Sequence, residues 1–230
     1  MNLEKIMMVL TLTSFLIGTS YSRSHRSHQG ICQNTFNYPN QDWKKDQAIK
    51  EPTVSYWKYE NELSYTVKTI NFSTWDMQKL NQALEIIKVV INSEEFKNRV
   101  KNFKWNGKLQ YNQNNGLTNE EIFEKIMQGE EELVPGIDHV MNFDLKLYRS
   151  RNPFSKVYGY TNPDTTRVWL NKKFYRRSSY TAIDVASNLT HEWLHKIGFG
   201  HSFYSNPDRP YTVPYAVGYI LGELAQEMGY

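Results

Sequence analysis

Apolar residues recur at helical spacing in some stretches of the chain and alternate with polar ones in others. Leu80, Leu84, Ile87 and Ile91 fall on one face of a helix over 74–92, and Ser73 with Asp76 three residues later supplies its start. Ser93 caps a short second helix through Val100. After the Asn106-Gly107 turn, Thr118 and Glu121 form a capping box for a helix to about Gln128. Phe143, Leu145 and Leu147 alternate with Asp144, Lys146 and Tyr148, the pattern of a half-buried strand. Residues 53–59 and 64–70 read as extended, and 156–160 and 165–171 flank the turn Asn162-Pro163-Asp164 as a strand pair. Thr181 and Asp184 start a further helix carrying Ile183, Ala186, Leu189 and Ile197, and a last helix runs from Val217 to Gln226. With no internal repeat and no regular β-α-β spacing, the order of elements predicts an α+β fold.

Length and composition narrow this to one folded domain over 52–230, preceded by two segments of different character. Residues 1–22 combine one Lys, the apolar run Ile6–Gly18 and small residues suited to cleavage after Ser20 or Ser22, which predicts a signal peptide. The alternative is a buried N-terminal helix. Residues 23–51 are polar and aperiodic, and read as an exposed arm or short pro-segment. The 33 aromatic residues (6 Trp, 16 Tyr, 11 Phe) exclude disorder over most of the length. A formal charge of only +3 gives no reason to expect nucleic acid as a partner. No apolar run reaches the roughly 18 residues of a membrane span, so no stable membrane anchor is expected. The single cysteine, Cys32, excludes an intrachain disulfide and any zinc site built on Cys pairs. The expectation is a secreted or periplasmic monomer held together by core packing.

The chemistry concentrates in His191-Glu192-Trp193-Leu194-His195-Lys196-Ile197-Gly198-Phe199-Gly200-His201. His191 and His195 lie one helical turn apart, so their imidazoles project from one face and can reach one tetrahedral zinc. Glu192 lies beside them, placed to take a proton from water rather than to ligate. Gly198 can adopt a left-handed conformation that ends the helix and turns the chain back, which lets His201 supply a third nitrogen. Three protein ligands leave one zinc position open, the mark of a catalytic site. Chance placement of these five residues at fixed offsets has a probability on the order of 10⁻⁵ per chain at this composition, so coincidence is set aside. Half of the six histidines fall in this window; His25 and His28 belong to the polar arm, and His139 is a surface residue or part of a cleft wall.

The pattern H-E-x-x-H-x-x-G-x-x-H resembles that of the metzincin zinc endopeptidases. The resemblance covers eleven residues directly. It implies a zincin-like metallopeptidase domain with a twisted, mostly parallel mixed sheet, an active-site zinc helix and a small C-terminal helical part. It further implies Zn2+ held by His191, His195 and His201, with Glu192 as general base and a protein or peptide as substrate. An antiparallel edge strand would line the cleft and pair with that peptide; Thr166–Asn171 is either this strand or an ordinary core strand. Metzincins carry a methionine turn below the zinc, whereas the only Met after His201 is Met228, near the end of the last helix. Tyr211–Tyr219 can replace it, with Val213 followed by Tyr215, or Val217 followed by Tyr219, at the spacing of the Met and a metal-facing Tyr. Tyr215 is preferred because Pro214 favours a turn.

Three alternatives stay open at this level. Glu223, one turn from Glu227, could be the third ligand in place of His201. The domain could be a zinc-stabilised binding module that has lost catalysis, or a zinc amidase acting on cell-wall peptides. Cys32 could fill the open zinc position as a pro-segment thiolate, or be an incidental thiol. The sequons at Asn71 and Asn188 carry little weight, and Asn188 falls on the zinc helix.

Overall fold

A computed structural model describes residues 30–31 and 62–230. The expected strand at 53–59, the signal segment, His25, His28 and Cys32 lie outside the described residues. The elements are β1 (Gly30–Ile31), β2 (Ser64–Ile70), α1 (Thr74–Ile91), α2 (Glu94–Lys101), α3 (Asn119–Gln128), β3 (Val140–Tyr148), β4 (Gly159–Thr161), β5 (Arg167–Asn171), α4 (Lys172–Tyr175), α5 (Ala182–Lys196) and α6 (Val213–Glu227). The architecture is α+β with a mixed sheet in the order β1-β4-β5-β3-β2. Strands β2, β3 and β5 are parallel, while β4 runs antiparallel to β5 and β1 antiparallel to β4. Among the described residues no helix is long and apolar enough to cross a membrane.

The three expected capping boxes all form. The hydroxyls of Ser73, Thr118 and Thr181 accept from the backbone N–H groups of Asp76, Glu121 and Asp184, whose carboxylates accept in return from the cap residues. The alternation along β3 buries Met141, Phe143, Leu145 and Leu147 toward the helices. Val168 and Leu170 of β5 join the same core, and on the other face Tyr160 stacks on Trp169 with ring centroids 5.0 Å apart. Segment 165–171 is therefore a central strand between β4 and β3, which resolves its two readings in favour of the core.

Helix α5 is enclosed on nearly every side, with Val185 to Leu194 buried without interruption. It packs on α1, α6 and β4. The N-terminal half of α1 clamps the loop that launches it. Lys79 Nζ donates to the carbonyls of Tyr175, Arg177 and Tyr180 at 2.9, 3.0 and 2.6 Å. Buried Asp76 accepts from Arg176 Nε at 2.9 Å and Nη2 at 2.5 Å, and the Tyr175 hydroxyl donates to the Asp76 carbonyl.

One boundary differs from expectation. The last helix begins at Val213 rather than Val217, because Pro214 occupies its first turn, where a missing N–H costs nothing and the fixed φ suits a helix. Tyr215 therefore sits on a helix and not in a β-turn. Close approach of α6 to α5 requires Gly218, since a Cβ there would stand 3.1 Å from the Ser187 carbonyl and 3.6 Å from the His191 Cβ.

Asp76 both completes a capping box and pairs with Arg176, so Asp76→Ala is expected to destabilise the domain by about 2–4 kcal/mol. Urea unfolding followed by tryptophan fluorescence measures this; a loss below about 0.5 kcal/mol would show that the clamp contributes little.

Candidate metal centre

The helix face of α5 and the turn after it bring three imidazoles together. His191 and His195 share one face, a turn apart, and their Nε2 atoms lie 3.2 Å from each other. The chain leaves α5 at Gly198, whose φ of 94° is the left-handed conformation that the reversal needs. His201 then returns so that its Nε2 is also 3.2 Å from that of His191. The candidate ligand atoms of the three residues all lie within 4.8 Å of one another, a group that could hold a metal ion. Nitrogens bound at 2.0–2.1 Å around a tetrahedral centre stand about 3.3 Å apart, so both measured separations fit such a site.

The protonation state follows from the other ring nitrogens. A carbonyl oxygen can only accept, so a ring nitrogen facing one carries the proton. His195 Nδ1 faces the Phe199 carbonyl at 2.7 Å, and His201 Nδ1 faces that of Ser202 at 3.0 Å. His191 is fully buried, with the backbone of Pro214 acting on its ring. A backbone carbonyl thus faces Nδ1 in His195 and His201, and Nε2 is left as a lone pair in both, the arrangement typical of metal-ligating histidines. Burial pushes His191 well below the usual imidazole range, with His195, His201 and the Arg209 guanidinium acting in the same direction. Burial, then His195 and Arg209, lower His201 to about 3 against its hydrogen bond with Ser202. These two rings are neutral at physiological pH, as ligands must be.

Tyr215, singled out from spacing, packs directly beneath the cluster. Its ring centroid is 4.4 Å from that of His191 and 4.8 Å from that of His201, and the Arg209 guanidinium lies over its ring at 4.8 Å. Tyr219 lies one turn further on, its ring tilted against that of Tyr215 with centroids 6.0 Å apart. Met228 caps the end of α6 and is 39% exposed, away from the cluster. Glu223 and Glu227 are engaged with Arg99, at 3.6 and 2.5 Å, and neither joins the histidine group. Asn188 is wholly buried, leaving no room for a glycan. His139 is structural: its Nδ1 meets the Met127 carbonyl at 2.7 Å, its N–H donates to Gln128, and its carbonyl accepts from Ser64.

Glu192 is wholly buried on α5 beside His191. Its charge acts on two neighbours. Burial, then Tyr160, then Glu192 push the Tyr148 hydroxyl up to about 12; burial lowers Lys196, opposed by Glu131, then Asp144, then Glu192. A recess of about 900 Å³ opens beside His195 and His201 and runs between Thr161–Thr166 on one side and Glu131–Leu133 on the other. Strand β4 borders this recess through Thr161, and its outer edge is occupied by β1, with Gly30 opposite Thr161 and Ile31 opposite Tyr160.

The carbonyls of Phe199 and Ser202 and the backbone of Pro214, together with Arg209 and Glu131, were not foreseeable from the sequence. Backbone acceptors have no sequence signature, and the two side chains come from loops without periodicity. Comparison with protein-family models, with curated proteins and with solved structures finds no match.

The purified chain is expected to bind one divalent metal ion. His201→Ala should weaken binding more than about 100-fold, while Glu223→Ala leaves it unchanged. Metal analysis after dialysis against a graded chelator reads both, and the reverse order would reassign the third ligand.

Proposed function

We propose that the protein is an exported zinc-dependent endopeptidase of metzincin type. The observation that carries this reading is a cluster of three histidines whose ligand atoms lie within 4.8 Å of one another, with His195 and His201 Nε2 each 3.2 Å from that of His191, one residue from a buried carboxylate. A purely structural zinc site is normally closed by a fourth protein ligand, and among the described residues no fourth side chain joins the three histidines. Export is supported by the composition of residues 1–22 alone.

When bound, zinc supplies a Lewis acid for the scissile carbonyl and acidifies water at the site. Glu192 takes the proton of that water and returns it to the leaving amine nitrogen, so one carboxylate serves both halves of the reaction. Burial of Glu192 within α5 limits its rotamers. Tyr215 supports the rings of His191 and His201 from below, in the place a methionine turn would take. The outer edge of β4, once cleared of β1, would pair with an extended peptide through backbone hydrogen bonds.

Glu192→Gln should keep the metal and the fold but lower peptide cleavage by about 10²–10⁴-fold or more. A broad peptide library, read by mass spectrometry with wild-type, chelated and Glu192→Gln samples in parallel, provides the test. Full zinc occupancy with no cleavage by the wild type, even after removal of the arm, would favour the silent binding module or a non-protein amide.

The pairing of β1 with β4 yields a second expectation. Removal of residues 1–51 frees the edge that a peptide would use, so KM should fall several-fold while kcat stays within about twofold. Steady-state kinetics on one fluorogenic peptide separate the two parameters. A large rise in kcat, reproduced by Cys32→Ser in the full chain, would instead point to a thiolate on the metal.

A further inference from the structure

We propose that the recess beside the three histidines seats a lysine or arginine side chain of the peptide substrate; that the ligand is a peptide rests on the endopeptidase reading above. The floor of the recess includes Glu131, which is 1% exposed. Its Oε1 accepts from Trp193 Nε1 at 2.8 Å and from the Asn142 N–H at 2.7 Å, which fixes the carboxylate. Its Oε2 is buried and has no hydrogen-bond partner among the described residues. A half-satisfied buried carboxylate is costly, and a cationic donor is the ligand that offsets the cost best.

The local charge has the right sign. Lys196, the one cation lining the recess, donates to the carbonyls of Asn142 and Thr166; it attracts Glu131 electrostatically but makes no direct hydrogen bond to it. Glu132 adds a second carboxylate: its Oε1 lies 2.7 Å from where a Cβ on Gly198 would be, over the C-terminal end of α5. That end carries the negative pole of the helix dipole. Two carboxylates and a helix C-terminus outweigh one ammonium already engaged with carbonyls. An acidic side chain would meet repulsion here, and an apolar one would leave Glu131 Oε2 without water or donor. Among the described residues only the three histidines form a group able to hold a metal, so this second acidic feature is not a metal site.

The rim suits the rest of such a side chain. Leu133, Phe203 and Tyr204 line the recess and are 48%, 40% and 79% exposed. Their apolar and aromatic surfaces can cover the methylene stem while the charged head reaches the carboxylates.

The test uses zinc-loaded protein carrying Glu192→Gln, so that binding is read without turnover. Two fluorescent peptides differing only in Lys against norleucine at one position are titrated by anisotropy, with that position moved along the peptide. At one position the Lys peptide should bind about tenfold more tightly, the scale of one charged hydrogen bond. Adding Glu132→Gln or Glu131→Gln should erase that preference and leave norleucine binding unchanged. Glu131→Gln keeps an acceptor for Trp193, and thermal unfolding verifies the fold; exposed Glu132 serves as the second, structurally mild variant. Equal binding of the two peptides at every position, or a preference that survives both carboxamide variants, overturns the assignment. A Lys preference in binding with no peptide cleaved by the wild type would sink the endopeptidase reading and leave the recess assignment standing.

Discussion

Three imidazole nitrogens with converging lone pairs repel one another, and the domain is built around holding them together. At 3.2 Å the Nε2 atoms of His195 and His201 each face that of His191 with no proton naturally shared among all three. Protonation would relieve the repulsion in water, but burial opposes it. A metal ion offsets both terms at once, which is why metal affinity and folding are coupled in sites of this kind. The carbonyls of Phe199 and Ser202 fix the orientation of their rings from behind, so the geometry stands on backbone that α5 and its exit turn define.

That requirement explains how polar the interior of α5 is. Ser187, Asn188, Thr190, His191 and Glu192 are all wholly buried, an expensive content for a helix surrounded by core. The cost is carried by neighbours that hold the helix firmly. Glu131 accepts from the Trp193 indole, the Glu132 N–H donates to the Lys196 carbonyl at the helix end, and the α1 clamp fixes the loop at its start. On the far side, Gly218 lets α6 approach until Tyr215 meets two of the ligand rings. An aromatic ring on a helix thus supplies the apolar support beneath the cluster.

The parts legible in the sequence are those governed by local rules. Ser73, Thr118 and Thr181 announce three helices through short-range capping. The alternation of β3 comes from one buried face, and the offset from His191 to His201 is set by one helical turn and one glycine. Strand order is not local: nothing in 165–171 says that β5 lies between β3 and β4, because a central parallel strand and a cleft-lining strand have the same apolar content. Pro214 misled for a similar reason, since proline suits a turn and the first turn of a helix equally well. Glu131 escaped notice because its role depends on Trp193, 62 positions away, and distant pairing leaves no periodic trace.

The arrangement of β1 on β4 bears on how strongly the arm could compete with a peptide. A strand of two residues offers only a few backbone hydrogen bonds, each worth about 1 kcal/mol net. As part of the same chain, β1 would compete as an intramolecular ligand, with an effective concentration in the millimolar range at most. Under the proposed endopeptidase reading, a peptide that paired with all of β4 and seated a side chain in the recess would form more contacts than β1 can. Such a peptide would displace β1 unless a further contact held it in place. Edge pairing alone sets a weak competitive barrier, and any tight block of the site has to come from a contact stronger than a β-bridge.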